Sequence, residues 1–239
     1  MPSAQIHFHG NLSDFLTARR RCRGSTVHWS DRRSVKDAIE SLGVPHVEVD
    51  SIMVGGTAVD FSYRLQDGDR VEVYPAPGPG RRLSPEAQAE PRFVLDCHLG
   101  RLARYLRMLG FDSRLPDDCS DEQLVQLSVR QDRTLLTRDR DLLKRKQLQR
   151  GYYVRATRPR LQLQEIATRF RLAHSMQPFS RCMECNASLR PAAKQEIDHR
   201  LQPRTRRSFD DFLQCSACGR VYWRGSHFDR MQALVDSLK

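Results

Sequence analysis

Apolar residues recur along the chain with two different periods, and the change of period marks the elements. Gln5-Ile-His-Phe-His9 and Val47-Glu-Val-Asp50 alternate apolar and polar positions, as half-buried strands do. Between them, Ser34–Gly43 reads as a short helix with Ser34 as N-cap and Gly43 just past its end. Ile52–Val59, built around Gly55-Gly56, is a hairpin candidate, and Leu65–Val73 reads as a turn into a last strand. Strands, one helix and more strands within about eighty residues predict a small α+β sheet packed on one helix.

Beyond a stretch rich in Pro and Gly the pattern changes. Arg92–Asp96 is an apolar strand closed by a carboxylate. Leu99, Leu102, Ala103, Leu106 and Leu109 line one face of an amphipathic helix, with Arg101, Arg104 and Arg107 off that face and Gly110 ending it. Phe111–Leu115 reads as a second strand, Asp121–Arg130 as a helix and Thr134–Thr137 as a third, buried strand. Strands alternating with helices predict a parallel α/β sheet. The expected division is a first domain over 1–78, a linker over 79–91, an α/β domain over 92–176 and a small module over 177–239.

Composition adds a compartment and a partner. The 239 residues are 39% hydrophobic and 29% charged, with no signal-peptide run at Met1–Phe15 and no window long enough to span a membrane, so a cytoplasmic protein is expected. The formal net charge of +11 is uneven. Residues 1–90 hold 11 Lys/Arg against 12 Asp/Glu, and residues 91–239 hold 29 against 17. A polyanion such as nucleic acid is the partner this predicts for the second part, a merely basic surface being the plain alternative.

Of seven cysteines, four form two C-x-x-C knuckles, Cys182/Cys185 and Cys215/Cys218, about thirty residues apart. Paired knuckles in a reducing compartment point to one structural Zn²⁺ held by four thiolates. The intervening residues, Arg190, Lys194, Arg200, Arg204, Arg206 and Arg207 among them, are too polar to make a core without a metal. His199 or His227 could replace one thiolate, and a redox dithiol is the rival reading. Tyr222 and Trp223 suit either stacking on unpaired bases or packing beneath the metal. Cys22, Cys97 and Cys119 have no paired spacing, and Trp29 and Arg19–Arg21 read as core and solvated surface. Lys144-Arg-Lys146 with Arg150, Arg155, Arg158 and Arg160 are candidates for phosphate contact or a solvated face.

The second part also collects acids where α/β proteins bind ligands, at the carboxyl ends of strands. Asp96 and Asp139 each follow a strand, and Asp121 opens a helix. Converging carboxylates repel unless a cation lies between them, and Mg²⁺ or Mn²⁺ suits an all-oxygen site and can polarise a phosphodiester. Each acid also has an ordinary reading. Asp121 and Glu122 favour a helix N-terminus, Asp117 or Asp118 can be turn residues, and Asp139 and Asp141 can pair with neighbouring cations.

Two resemblances sharpen this. The pattern from Val35 through Gly55-Gly56 to Leu65–Val73 resembles ubiquitin-like β-grasp domains related to sulfur carriers. Here the chain continues through Pro75–Gly80, so docking rather than carrier chemistry is expected. The motifs F-V-L-D-C-H-L-G-R-L-A-R-Y-L-R-M-L-G-F-D, D-D-C-S-D-E-Q-L and L-L-T-R-D-R-D-L resemble the Mut7-C domain, a compact branch of the PIN nucleases. What that resemblance implies is metal-dependent RNA cleavage leaving a 5′-phosphate and a 3′-hydroxyl. Asp96, Asp121 and Asp139 match the metal-binding acids, Asp141 is a fourth ligand or supporting group, and Asp117 or Asp118 substitutes for an acid the compact branch lacks. Arg101, Arg104 and Arg138 are the phosphate-binding candidates, and structured RNA such as tRNA is the expected substrate. The β-grasp domain is expected to dock a protein partner. Two rivals remain: a non-catalytic RNA-binding adaptor with a structural zinc ribbon, and a sulfur-transfer accessory protein.

Overall fold

The structure is a computed structural model that describes residues 1–23, 25–75 and 90–238. Residues 79–89 of the expected linker, and residues 76–78 just before it, lie outside the described residues. In chain order the first part contains β1 (Ser3–Phe8), α1 (Ala18–Arg23), β2 (Ser25–His28), α2 (Val35–Ser41), β3 (Val49–Val54), β4 (Thr57–Val59) and β5 (Arg70–Pro75). The middle part contains β6 (Phe93–Leu95), α3 (Gly100–Met108), β7 (Ser113–Arg114), α4 (Asp121–Arg130), β8 (Thr134–Thr137), β9 (Gly151–Tyr153) and α5 (Pro159–Arg169). The last part contains β10 (Leu189–Ala192), α6 (Lys194–Ile197), α7 (Pro203–Ser208), β11 (Phe212–Cys215), β12 (Val221–Trp223) and α8 (Phe228–Asp236). By packing, these form two compact units, Met1–Ser84 with Ser120–Tyr153 and Pro85–Cys119 with Val154–Lys239.

In the first unit a five-stranded mixed sheet, order β2-β1-β5-β3-β4, wraps α2. Ser34 caps α2 by accepting from the Asp37 amide at 3.1 Å, and Gly43 at φ +100 ends it, as the sequence predicts. Gly55 and Gly56, at φ +55 and +85, form the tight β3–β4 turn, a backbone that other residues enter only with strain. Ile6, Val35, Ala38, Ile39, Val71 and Val73 make the core. The predicted strand at Val47–Asp50 starts two residues late, because His46–Glu48 forms a 3-10 turn. That turn aims the Glu48 carboxylate inward, where it is 4% exposed and accepts the Tyr153 amide at 2.6 Å. Segment Ser120–Tyr153 adds α4, packed on β8, and a parallel β8–β9 pair.

In the second unit β6 pairs with β7 in parallel, and α5 packs against α3. Leu99, Leu102, Ala103, Leu106 and Leu109 are at most 1% exposed, the face that their spacing predicts. Arg107 departs from that reading: it is 5% exposed, because the chain around Met183 and Glu184 covers it. Gly110, at φ +97, ends α3 against the next segment; a Cβ there would lie 2.4 Å from the Gln177 carbonyl. The last part is a three-stranded antiparallel sheet, order β10-β11-β12. Its own core is small: Ile197, Leu201 and Phe212. No helix among the described residues is long and apolar enough to cross a membrane.

Candidate functional site

Asp96 follows β6 and turns the chain into α3. Its carboxylate accepts the His98 amide at 3.3 Å, and the hydrogen bond from the Cys97 thiol to it pushes that thiol's pKa up. Asp96, Cys97 and His98 hold donor atoms within 4.8 Å of one another, a grouping that sequence spacing alone did not suggest because only Asp96 matches an acid motif.

The other three acids belong to the first compact unit. Asp121 opens α4 behind a capping box in which Ser120 accepts the Gln123 amide and Gln123 accepts the Ser120 amide. Its carboxylate lies 3.7 Å from the Arg145 guanidinium. Asp139 is exposed just past β8 and shapes its own loop. Its amide donates to Thr137 Oγ1 at 2.9 Å, and its carboxylate accepts the amides of Asp141 at 2.7 Å and Leu142 at 3.3 Å. Asp141 accepts a hydrogen bond from Lys144 Nζ at 2.9 Å; that bond and the Lys144 charge hold its pKa below the usual carboxylate value. The ordinary roles of cap and ion pair are therefore occupied, on an exposed stretch that brings Asp139 and Asp141 into one loop. Asp117 and Asp118 are exposed, with Asp118 in the left-handed region at φ +53.

Among the expected phosphate ligands, Arg101 is exposed and Arg138 half-buried. Arg104 pairs with Glu184 at 3.0 Å. Arg107, one turn further on, donates to the carbonyls of Ser113, Met183 and Glu184. Asn186 takes the Ser113 amide on its side-chain oxygen at 2.9 Å and donates to Asp112 at 2.7 Å. One face of α3 thus holds the first cysteine knuckle by its backbone. The sequence hides this, because arginine at a helical position ordinarily signals solvent.

The four cysteines meet. Their sulfurs all lie within 4.8 Å of one another, with Cys182 and Cys218 at 3.7 Å and Cys185 and Cys215 at 3.3 Å. A tetrahedron with Zn–S bonds of about 2.3 Å has an S–S edge of about 3.8 Å. The thiols therefore fit one zinc ion with sub-ångström adjustment. Electrostatics point the same way. Burial alone would push the Cys182 thiol up, but the amides of Cys185 and Glu184 and the Tyr222 hydroxyl, 3.1 Å away, bring it down to about 6. Cys218 receives help from the Arg220 amide, yet burial and the three neighbouring sulfurs push it up to about 12. Four thiolates in one shell require a cation. His199 and His227 are not part of this cluster; His227 Nδ1 instead accepts from Arg230 at 2.7 Å. Tyr222 is half-buried against Cys182, and Trp223 is 41% exposed, so the adjacent aromatics divide between support and surface.

Fold and site define a class: a ubiquitin-like α+β domain joined to an α/β part with parallel strands and a four-cysteine module. The Mut7-C RNAse domain family matches residues 91–235 and the Mut7-C ubiquitin family residues 1–79. The chain belongs to the Mut7-C RNAse domain family, in the arrangement with an N-terminal Mut7-C ubiquitin domain, and a nuclease-type function is the coarse reading that this carries. No curated protein and no solved structure gives a significant match.

Proposed function

We propose that this chain is a metal-dependent, PIN-like ribonuclease that hydrolyses phosphodiester bonds in structured RNA such as tRNA. The observation that carries the reading is the Mut7-C RNAse match over residues 91–235, a span that includes Asp96, Asp121, Asp139 and Asp141. In support, Asp96 directly follows β6, and Asp139 comes two residues after β8. In this reading Asp96, Asp121 and Asp139 hold Mg²⁺ or Mn²⁺ and Asp141 supports them, an oxygen-donor set of the kind those ions prefer. The bound ion supplies Lewis-acid chemistry for attack of water on phosphorus. Arg101, Arg104 and Arg138 orient the flanking phosphates, and RNA competes with Glu184 for Arg104. The four cysteines hold structural zinc as a zinc ribbon, and the β-grasp domain docks a protein partner in the cytoplasm. The domain limits are those that the sequence predicts: 1–78, a linker over 79–91, 92–176 and 177–239.

Wild type, Asp96→Asn and Asp139→Asn are each incubated with labelled tRNA and single-stranded DNA in Mn²⁺, Mg²⁺ or EDTA. The expected outcome is RNA cleavage that needs the metal and falls at least about 100-fold in either variant. RNA binding without cleavage, unchanged in both variants under every metal, would replace this reading with the adaptor.

A further inference from the structure

We propose that His7, His9 and Glu72 form a second metal site, on the outer face of the β-grasp sheet, for a borderline divalent cation of the Zn²⁺ or Ni²⁺ type. Ile6 and Phe8 point into the core at 1% and 6% exposure, so the two-residue period of β1, continued by the extended backbone of His9 just past its end, puts His7 and His9 together on the opposite face. Strand β5 runs parallel alongside, in a register that sets Glu72 directly opposite His7. Val71 and Val73 are buried, so Glu72 also faces outward. The result is one ligand atom from each of the three side chains, all within 4.8 Å.

The supports are in place as well. The His9 amide donates to the Val73 carbonyl at 2.9 Å, extending the ladder through the second histidine. The Tyr74 ring stacks on the His9 imidazole with centroids 4.2 Å apart, and His7 meets it edge-on at 4.8 Å, which sets both ring planes. His9 Nε2 and Glu72 Oε2 are 2.5 Å apart. A hydrogen bond accounts for that pair without a metal; the strand register adds His7 beside it as a third donor. A tetrahedral ion with bonds near 2.0–2.1 Å separates its donors by about 3.4 Å, so loading opens the His9–Glu72 pair by about 1 Å.

Donor chemistry selects the ion. Two imidazoles and one carboxylate favour zinc, nickel or copper over Mg²⁺. The donor set is therefore distinct both from the all-oxygen site proposed for catalysis and from the four thiolates. Three protein ligands leave a coordination position for water or a donor from another molecule. None of this depends on the nuclease reading.

The test uses the full chain with its cysteine site loaded with zinc, in millimolar Mg²⁺, titrated calorimetrically with Ni²⁺. Wild type is expected to bind one more Ni²⁺ than His7→Ala, and Glu72→Gln, which keeps the side-chain size, is expected to weaken that site at least tenfold. Thermal unfolding of both variants serves as the control for folding. With one equivalent of Cu²⁺, electron paramagnetic resonance should show nitrogen couplings from two imidazoles, reduced to one in His7→Ala. Equal Ni²⁺ uptake by wild type and both variants, or nitrogen couplings indifferent to His7, would overturn the proposal.

Discussion

Arg107 has a role opposite to the one its helical position advertises. Its spacing sets it off the apolar stripe of α3, yet its guanidinium is buried and serves three backbone carbonyls, two of them in the first knuckle. Burial lowers its pKa, and the charges of Cys182, Cys185 and Glu184 oppose that shift, so it remains the cation facing the thiolate cluster. Replacing Arg107 with Met keeps most of the stem's packing and removes the donors. The expected cost is about 3 kcal/mol, read as a lower urea midpoint, because buried carbonyls lose a charged partner. Arg107→Lys should recover little, since one ammonium cannot reproduce the planar fork. A chromophoric chelator should also strip zinc faster from both variants; unchanged release would show that the knuckle holds its shape without this residue.

At the scale of elements, strand β11 delivers Cys215 at its end, and the turn that follows delivers Cys218. The module's own core of Ile197, Leu201 and Phe212 is too small to hold such a sheet alone, so metal binding and folding should be one event. EDTA, or Cys215→Ser, is expected to abolish the module's protection from protease while the β-grasp domain remains resistant. Acid should act similarly. The folded-state pKa of Cys182 lies below its ordinary value, so its contribution is fully present above the unfolded thiol range and is lost as pH falls through about 6. With zinc bound, protons compete with the ion for the thiolates, so zinc retention followed from pH 8 to 3 should fall as the pH is lowered; retention indifferent to pH over that range would show that thiolates do not hold the ion. Elements set by neighbours in the chain were legible in advance: the Ser34 cap, the Gly55-Gly56 turn, the ends of α4 and the apolar stripe of α3. The start of β3 was not, because Glu48 leaves the strand pattern to meet Tyr153, a residue 105 positions away.

The whole molecule is divided in a way that chain order does not suggest. Ser120–Tyr153, which carries Asp121, Asp139 and Asp141, packs with the β-grasp domain. His46 Nε2 faces the Leu148 carbonyl at 3.0 Å, Glu48 accepts the Tyr153 amide, and Arg140 donates to the Phe15 carbonyl at 3.1 Å with its guanidinium 5.2 Å from the Phe15 ring. A fragment of residues 90–239 is therefore expected to lose cooperative unfolding in the Ser120–Tyr153 stretch, seen as fast amide exchange there and new protease cuts. A fragment as protected as the full chain would show that the β-grasp contacts are dispensable.

The sequence alone determined the local elements, the four zinc-type cysteines and the order of the acidic motifs, because capping, period and ligand spacing act over a few residues. Only the tertiary structure decided which side chains far apart in the chain share an environment. Burial of Arg107 beneath a knuckle, support of the acidic loop's unit by the β-grasp domain, and the placing of Glu72 opposite His7 all depend on it. Those outcomes come from close packing and strand register, where a partner tens of residues away determines whether a polar side chain faces water, a carbonyl or another ligand.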